Sequence, residues 1–134
     1  MSENVQERAR PYDLVGGGEI VRQLVGRFYD LMESDPAYAE LRAMHAADLS
    51  PMRDSLSGFL TAWLGGPRDW FEQRPGACMM SMHRGMSIPE ATAHQWSDAM
   101  RRAVTQCVPN AVIAAKMAEA LGSLAHGMAN DPAH

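Results

Sequence analysis

The sequence has 134 residues, a formal net charge of −4, 46% hydrophobic residues and 21% charged residues. This length fits one domain with a sizeable core, and the composition is that of an ordinary soluble globular protein. The mild acidic balance, without any block of like charges, argues against nucleic acids and anionic membranes as partners.

The amino-terminal stretch and the cysteines bear on location. Residues 1–10 contain no apolar stretch of the kind found in signal peptides. No apolar run approaches the roughly 18 residues that are needed to span a bilayer. Cys78 and Cys107 do not form a CxxC pair, and without an export signal we expect both to be reduced thiols. The sequence therefore predicts a cytoplasmic protein that does not interact with membranes.

Apolar residues recur at helical spacing in the first half of the chain, and no sustained period-two alternation indicates a strand. The first long helix is predicted to begin after Gly16–Gly18 and to end at Ser34–Pro36. A short helical turn is expected over Ala37–Met44. Ser50–Pro51 predicts the next helix start, with a capping hydroxyl followed by a proline, and Gly65–Pro67 ends that helix.

The second half of the chain has the same character. Residues 67–76 are predicted to be a loop, and the segment 78–86 is predicted to contain one or two helical turns. Ser87–Glu90 has the form of a capping box, which predicts a helix that Val108–Asn110 ends. The last helix is predicted to run to about Met128. The chain is therefore predicted to be all-α, with four substantial helices.

The segment Cys78–Met86, with the sequence CMMSMHRGM, places four methionines around His83. Thioethers beside an imidazole can bind a soft metal such as copper(I). Methionine is also unbranched and polarizable, so the same residues can wall an irregular cofactor slot. A porphyrin iron needs one axial ligand, usually a neutral imidazole, in an apolar slot. These residues alone leave open a haem pocket, a copper site and a plain helix end.

A haem on His83 would need hydrogen-bond donors on the opposite side of the iron. Dioxygen bound there carries partial negative charge, so a buried donor aimed at it is favourable. Tyr29 and Trp96 are candidates, because each lies on a predicted inner helical face with an apolar body and one polar hydrogen. Side chains that could wall the slot are Met52, Leu56, Phe59, Phe71, Met79, Met82 and Met86.

Several motifs, in their order and spacing, resemble the group II truncated haemoglobins. They are FYDLM at 28–32, Phe59-Leu60 followed by WLGGP at 63–67, Met82-His83 with Ile88 five residues later, and Trp96. The resemblance covers about residues 12–128. It implies an all-α truncated globin fold, a two-over-two helical sandwich around haem b.

The resemblance also implies roles for individual positions. His83 matches the proximal iron ligand, and Tyr29 matches the distal tyrosine of the family. Trp96 matches the tryptophan that characterises the group. His45 falls where the family places an aromatic residue or a histidine beside the ligand. Positions that face or pack on the haem are matched by Met52, Leu56, Phe59 and Ile88.

Some positions depart from the family pattern. Basic residues commonly precede the proximal histidine, where one pairs with a haem propionate, and here these positions are Met80 and Met82. A Pro-Phe pair often follows the histidine, and here it is Gly85–Met86. The iron ligand is unaffected by these changes. Arg84 or Arg68 could hold a propionate instead.

The resemblance implies a protein that binds dioxygen, carbon monoxide and nitric oxide at the iron, with Tyr29 and Trp96 as donors and His45 assisting. Donors worth roughly 1 kcal/mol each would slow dioxygen loss by about tens- to hundreds-fold, which favours ligand retention or redox chemistry over bulk delivery. One alternative is a nitric oxide dioxygenase or peroxidase-like enzyme, which would need a separate reductase. Another alternative is a haem-free copper(I) module, and a third is a purely structural helical protein.

The ends of the chain are expected to lie outside the globin domain. Residues 1–11 are predicted to be a flexible extension, residues 12–128 the domain, and residues 129–134 a flexible tail. We expect a monomer or a homodimer with no nucleic-acid partner.

Overall fold

The computed structural model describes residues 10–73 and 88–129. These residues form α-helices joined by short connections, which confirms the all-α prediction. The helices are α1 (Pro11–Val15), α2 (Gly17–Ser34), α3 (Ala39–Ala43), α4 (Ser50–Trp63), α5 (Asp69–Glu72), α6 (Glu90–Cys107) and α7 (Ala111–Met128), with a 3-10 turn at Pro36–Tyr38 between α2 and α3.

Four long helices make up the architecture. Helices α6 and α7 pack against each other along their lengths, and α2 packs against both α6 and α4. The pair α2 and α4 and the pair α6 and α7 thus form the two layers of the expected sandwich. Among the short helices, α1 and α3 pack on α2, and α5 packs on α4.

The core lies where the predicted apolar faces of the long helices meet. Phe28, Leu60, Val104 and Leu121 have no exposed side-chain surface, and each comes from a different long helix. Burying a large apolar side chain stabilises a fold by about 1.5–3 kcal/mol relative to exposing it. In the part of the chain that is described, no helix is long and apolar enough to cross a membrane.

The first long helix begins within the glycine run, at Gly17, and not after it as predicted. Gly16 and Gly17 have φ angles of +117° and +79°, a left-handed backbone that glycine adopts at little cost. They turn the chain between α1 and α2. Helix α1 was not predicted, because five residues are too few to show a helical period.

Ser50 does not cap α4, so that prediction is wrong in its detail. Ser50 is the first helical residue, Leu49 is in the N-cap position, and no side chain caps the helix there. The Ser50 backbone N–H instead donates to Asp48 Oδ1 at 3.0 Å. This bond lowers the pKa of the Asp48 carboxyl, because it stabilises the charged form.

Two other predicted boundaries need correction. Helix α6 begins at Glu90 with Pro89 in the N-cap position, so the capping-box prediction placed its start too early. Ser87 itself lies outside the described residues. The loop predicted over 67–76 contains helix α5, at Asp69–Glu72. A four-residue helix shows no periodicity, so only its packing on α4 distinguishes it from a loop.

Polar contacts join the 3-10 turn to α6. The Tyr38 hydroxyl donates to Asp98 Oδ2 at 2.6 Å. Arg102 Nη1 donates to Asp35 Oδ2 at 2.8 Å and to the Tyr38 hydroxyl at 3.0 Å. Since Tyr38 is only 2% exposed, these partners satisfy a phenol that the fold buries. The contacts fix the end of α2 against α6.

Candidate functional site

A cavity of about 400 Å³ lies between the two helical layers, within the usual size range of small-molecule pockets. None of the described residues around it is Asp, Glu, Lys or Arg. The lining is mostly apolar and comes from α2 to α7, the segment after α3 and the segment before α6: Tyr29, Leu41, Met44, His45, Ala46, Met52, Ser55, Leu56, Phe59, Trp70, Ile88, Thr92, Ala93, Trp96, Ala125 and Met128.

The structure brings seven of the sequence-predicted site residues to this cavity: Tyr29, His45, Met52, Leu56, Phe59, Ile88 and Trp96. Phe71 belongs to α5, and its side chain lies outside the described part. The remaining predicted residues also lie outside the described residues: Met79, Met82, His83, Arg84 and Met86. Arg68 is described, is exposed, and does not line the cavity.

Phe28 packs against both candidate donors. Its ring centroid lies 4.9 Å from that of Tyr29 and 5.3 Å from that of Trp96, both in edge-on arrangements. Phe28 is fully buried, so it has little freedom to move. Tyr29 on α2 and Trp96 on α6 are therefore held against the same buried ring, where these two helices meet.

The polar groups of Tyr29 and Trp96 are not paired within the described part of the chain. Within residues 10–73 and 88–129, no group forms a hydrogen bond with the Tyr29 hydroxyl or the Trp96 indole N–H. Both residues line the cavity, and each carries one N–H or O–H donor. The pair therefore favours binding of a small hydrogen-bond acceptor in the cavity.

Tyr29 is a neutral donor at physiological pH. Burial raises the pKa of its phenol to about 12, and the charge of Arg53 opposes part of that rise. The residue is 2% exposed. A phenol with so high a pKa keeps its proton, so it can donate a hydrogen bond but does not present a phenolate.

His45 lies after α3, beside Tyr29. The centroids of the two rings are 6.2 Å apart. His45 Nδ1 lies 2.9 Å from the Leu41 carbonyl oxygen. Leu41 N donates in turn to Gln95 Oε1 on α6 at 3.0 Å, so the segment that carries His45 is tied to the helix that carries Trp96.

Sequence reasoning missed several lining residues. Ser55 follows Met52 by three positions and precedes Phe59 by four, so the period of α4 could have identified it. Trp70 lies in the unpredicted helix α5, and its ring packs edge-on against Phe59 with centroids 5.9 Å apart. Thr92 is buried, and its hydroxyl donates to the Pro89 carbonyl at 2.8 Å.

Within residues 10–73 and 88–129, no group of three or more His, Cys, Asp or Glu side chains could hold a metal ion. The methionines of the copper alternative, Met79, Met80 and Met82, lie outside these ranges.

Comparison with known proteins identifies the family to which this chain belongs. The chain matches the family described as bacterial-like globin over residues 10–130. The chain belongs to the bacterial-like globins. The match spans nearly the whole sequence, and it confirms the globin resemblance that the motifs indicated.

Individual relatives place the chain in group II. It is 30% identical over 94 residues to the group 2 truncated haemoglobin YjbI of Bacillus subtilis (strain 168), covering 70% of this chain and 68% of that protein. It resembles the group II 2-on-2 haemoglobin from the plant pathogen Agrobacterium tumefaciens with a TM-score of 0.88 and 33% identity, covering 93% and 97% of the two chains. A cold-adapted truncated haemoglobin from Pseudoalteromonas haloplanktis TAC125 gives a TM-score of 0.87 and 28% identity, covering 91% and 98%.

As a group II truncated haemoglobin, the chain is a haem-binding globin, and its cavity fits that group. Haem is a large apolar macrocycle, and the described walls are apolar apart from a few neutral or imidazole side chains. Tyr29 and Trp96 also line the cavity, and their polar groups have no hydrogen-bond partner among the described residues. The described lining supplies no cation for a propionate, so Arg84 stays a prediction from the sequence.

Proposed function

We propose that this truncated haemoglobin holds haem b through His83 and retains dioxygen, with carbon monoxide and nitric oxide as further ligands. The observation that supports this function is the pair of cavity-lining donors, Tyr29 and Trp96, whose polar groups have no partner among the described residues. The pair lines a mostly apolar cavity of about 400 Å³, in which few other polar groups compete for a bound ligand.

Haem iron, when bound, supplies a coordination position at which a diatomic molecule can bind reversibly. Met52, Leu56 and Phe59 on α4 would wall the haem on the side of the donors. His83 is assigned as the iron ligand by the family motif. The three α4 side chains would act by packing, and none of them carries a proton that titrates.

Tyr29 and Trp96 would slow the escape of dioxygen by donating hydrogen bonds to it. At roughly 1 kcal/mol or more each, the two donors would slow release by about tens-fold or more. A slow release suits ligand retention better than bulk delivery. His45 would assist by holding the polar edge of the cavity beside Tyr29.

The absorption spectrum of the purified protein tests the haem assignment. Ferric and dithionite-reduced samples, with and without carbon monoxide, are compared for the wild type and His83→Ala. We expect a Soret band in the wild type that is lost or strongly altered in the variant. His94→Ala is the matched control, because His94 is an exposed histidine of α6 that does not line the cavity.

Two results would overturn the proposal. The wild type could show no Soret band after reconstitution with haem. Alternatively, His83→Ala could keep the wild-type spectrum in every state, which would remove His83 as the ligand. A normal spectrum in His94→Ala is needed to interpret a loss of the band in His83→Ala, because it shows that losing a histidine does not by itself disturb haem binding.

A further inference from the structure

Arg53 reaches from α4 across to α2, where it lies over the ring of Tyr29. Its guanidinium carbon is 5.5 Å from the Tyr29 ring centroid. Nη1 donates to the Gly26 carbonyl at 3.3 Å. Nη2 lies 3.2 Å from Asp30 Oδ1 and 3.6 Å from Glu33 Oε1. These contacts, all on α2, fix the cation on the face of the phenol.

A cation at this distance interacts favourably with an aromatic face. It also draws electron density from the ring, which makes the phenolic O–H a stronger hydrogen-bond donor. Because Tyr29 is buried, the surrounding low dielectric lets a nearby charge act on it more strongly than it would in water. The position of Arg53 thus affects both the orientation of the ring and the strength of its donor.

We propose that Arg53 is a positioning residue that holds the Tyr29 ring and strengthens its hydrogen bond to a ligand in the cavity. This inference rests on the proposed function. Arg53 does not line the cavity, so it acts on the ligand through Tyr29. The charge of Arg53 lowers the pKa of Tyr29, against the larger effect of burial. A lower phenol pKa goes with a stronger O–H donor, so this direction agrees with the proposed role.

The test is a double-mutant cycle on the haem-loaded protein: wild type, Arg53→Met, Tyr29→Phe and the double variant. Arg53→Met should speed dioxygen release by about two- to fivefold. It should also move the carbon monoxide stretching frequency of the reduced protein upward, because a weaker donor near the oxygen atom strengthens the C–O bond. In the Tyr29→Phe background, Arg53→Met should change neither quantity.

Arg27→Met is the matched control, and Arg53→Lys is the conservative variant. Arg27 is an exposed arginine of α2 whose Nε donates to Gln106 Oε1 at 2.6 Å, away from the cavity. Its loss should leave both readouts at wild-type values. Arg53→Lys keeps the charge but loses the fork that reaches several acceptors, so its values should fall between those of the wild type and Arg53→Met.

Urea unfolding of the wild type, Arg53→Met, Tyr29→Leu and their double variant tests the contact itself, without a ligand. Arg53→Met should lower the midpoint less in the Tyr29→Leu background, since leucine presents no aromatic face to the cation. The Arg53 proposal would be overturned if the midpoint changes of the two single variants add up to that of the double variant. It would also be overturned if Arg53→Met changed dioxygen release and the C–O stretching frequency equally with and without the Tyr29 hydroxyl. If Tyr29→Phe alone leaves release and stretching frequency unchanged, the donor role of Tyr29 in the proposed function fails. If Tyr29→Phe has an effect and Arg53→Met has none, only the Arg53 inference fails.

Discussion

His45 Nδ1 lies 2.9 Å from the backbone carbonyl oxygen of Leu41. A carbonyl oxygen can only accept a hydrogen bond, so the hydrogen must be on Nδ1. In the neutral imidazole, Nε2 then carries a lone pair and is an acceptor. A neutral His45 can therefore accept a hydrogen bond at Nε2, but from that nitrogen it cannot donate one to a ligand.

His45→Phe should consequently have a small effect on ligand retention. We expect dioxygen release to change by less than about threefold, because no ligand donor is lost, whereas a lost donor would be worth roughly 1 kcal/mol or more. Stopped-flow measurement of release near neutral pH checks this. A change as large as that caused by Trp96→Phe would mean that His45 donates to the ligand, which requires its protonated form.

Trp96→Phe should speed dioxygen release by about five- to tenfold, because it removes one neutral donor from the cavity. The phenyl ring keeps most of the packing against Phe28, whose centroid lies 5.3 Å from that of the indole. Trp63→Phe is the control, since Trp63 is a half-buried tryptophan of α4 that does not line the cavity. An unchanged release rate in Trp96→Phe would exclude Trp96 as a donor.

The long helices could be predicted from the sequence because their signals are local. The period of the apolar residues locates α2, α4, α6 and α7, and the glycine- and proline-containing breaks separate them. Asn110 shows how local such a signal is, because its side chain accepts from Val112 N and Ile113 N and so caps α7. Each of these interactions lies within a few residues along the chain.

Parts of the cavity could not be predicted because they depend on packing between distant residues. Trp70 reaches the cavity only because α5 folds back on α4, and a four-residue helix has no periodic signal. No signal in the sequence distinguishes Arg53, which lies between the apolar positions Met52 and Leu56, from an exposed polar residue of a helix. Its contact with Tyr29 exists only once α4 crosses α2. The sequence therefore locates Tyr29 but not the arginine that lies over its ring.

Tyr29 should make the protein less stable at alkaline pH. The ordinary phenol pKa is 10.0, and burial raises the pKa of Tyr29 to about 12 in the folded state. The folded protein thus holds this proton more tightly than the unfolded chain does. The contribution is fully present below pH 10 and is lost as the pH rises to about 12, by about 2 to 3 kcal/mol in the free energy of unfolding.

Urea unfolding of the wild type and Tyr29→Phe across this pH range measures that loss. Other groups that titrate in this pH range contribute equally to both proteins, so their contributions cancel in the difference between the two unfolding free energies. This difference should be constant below pH 10. Above pH 10 the wild type should lose stability relative to Tyr29→Phe. Parallel curves for the two proteins up to about pH 12 would show that the folded state does not hold the phenolic proton more tightly.

Gly58→Ala should destabilise the fold where α4 meets α5. A Cβ at this position would lie 2.6 Å from Trp70 Cδ1 and 2.8 Å from Trp70 Cβ, closer than real contacts permit. We expect a loss of about 1–3 kcal/mol from overpacking, larger than the gain of about 1 kcal/mol in helix propensity. Because Trp70 lines the cavity and packs on Phe59, the Soret band should shift as well.

Gly127→Ala provides the control for helix propensity. Gly127 is an exposed residue of α7, and a Cβ there would meet no neighbouring atom within 4 Å. This substitution should raise stability by about 0.5–1 kcal/mol and leave the Soret band in place. Thermal unfolding of both variants measures the contrast. If Gly58→Ala proved as stable as Gly127→Ala, the close packing of Trp70 on α4 would be wrong, and with it the position of one wall of the haem cavity.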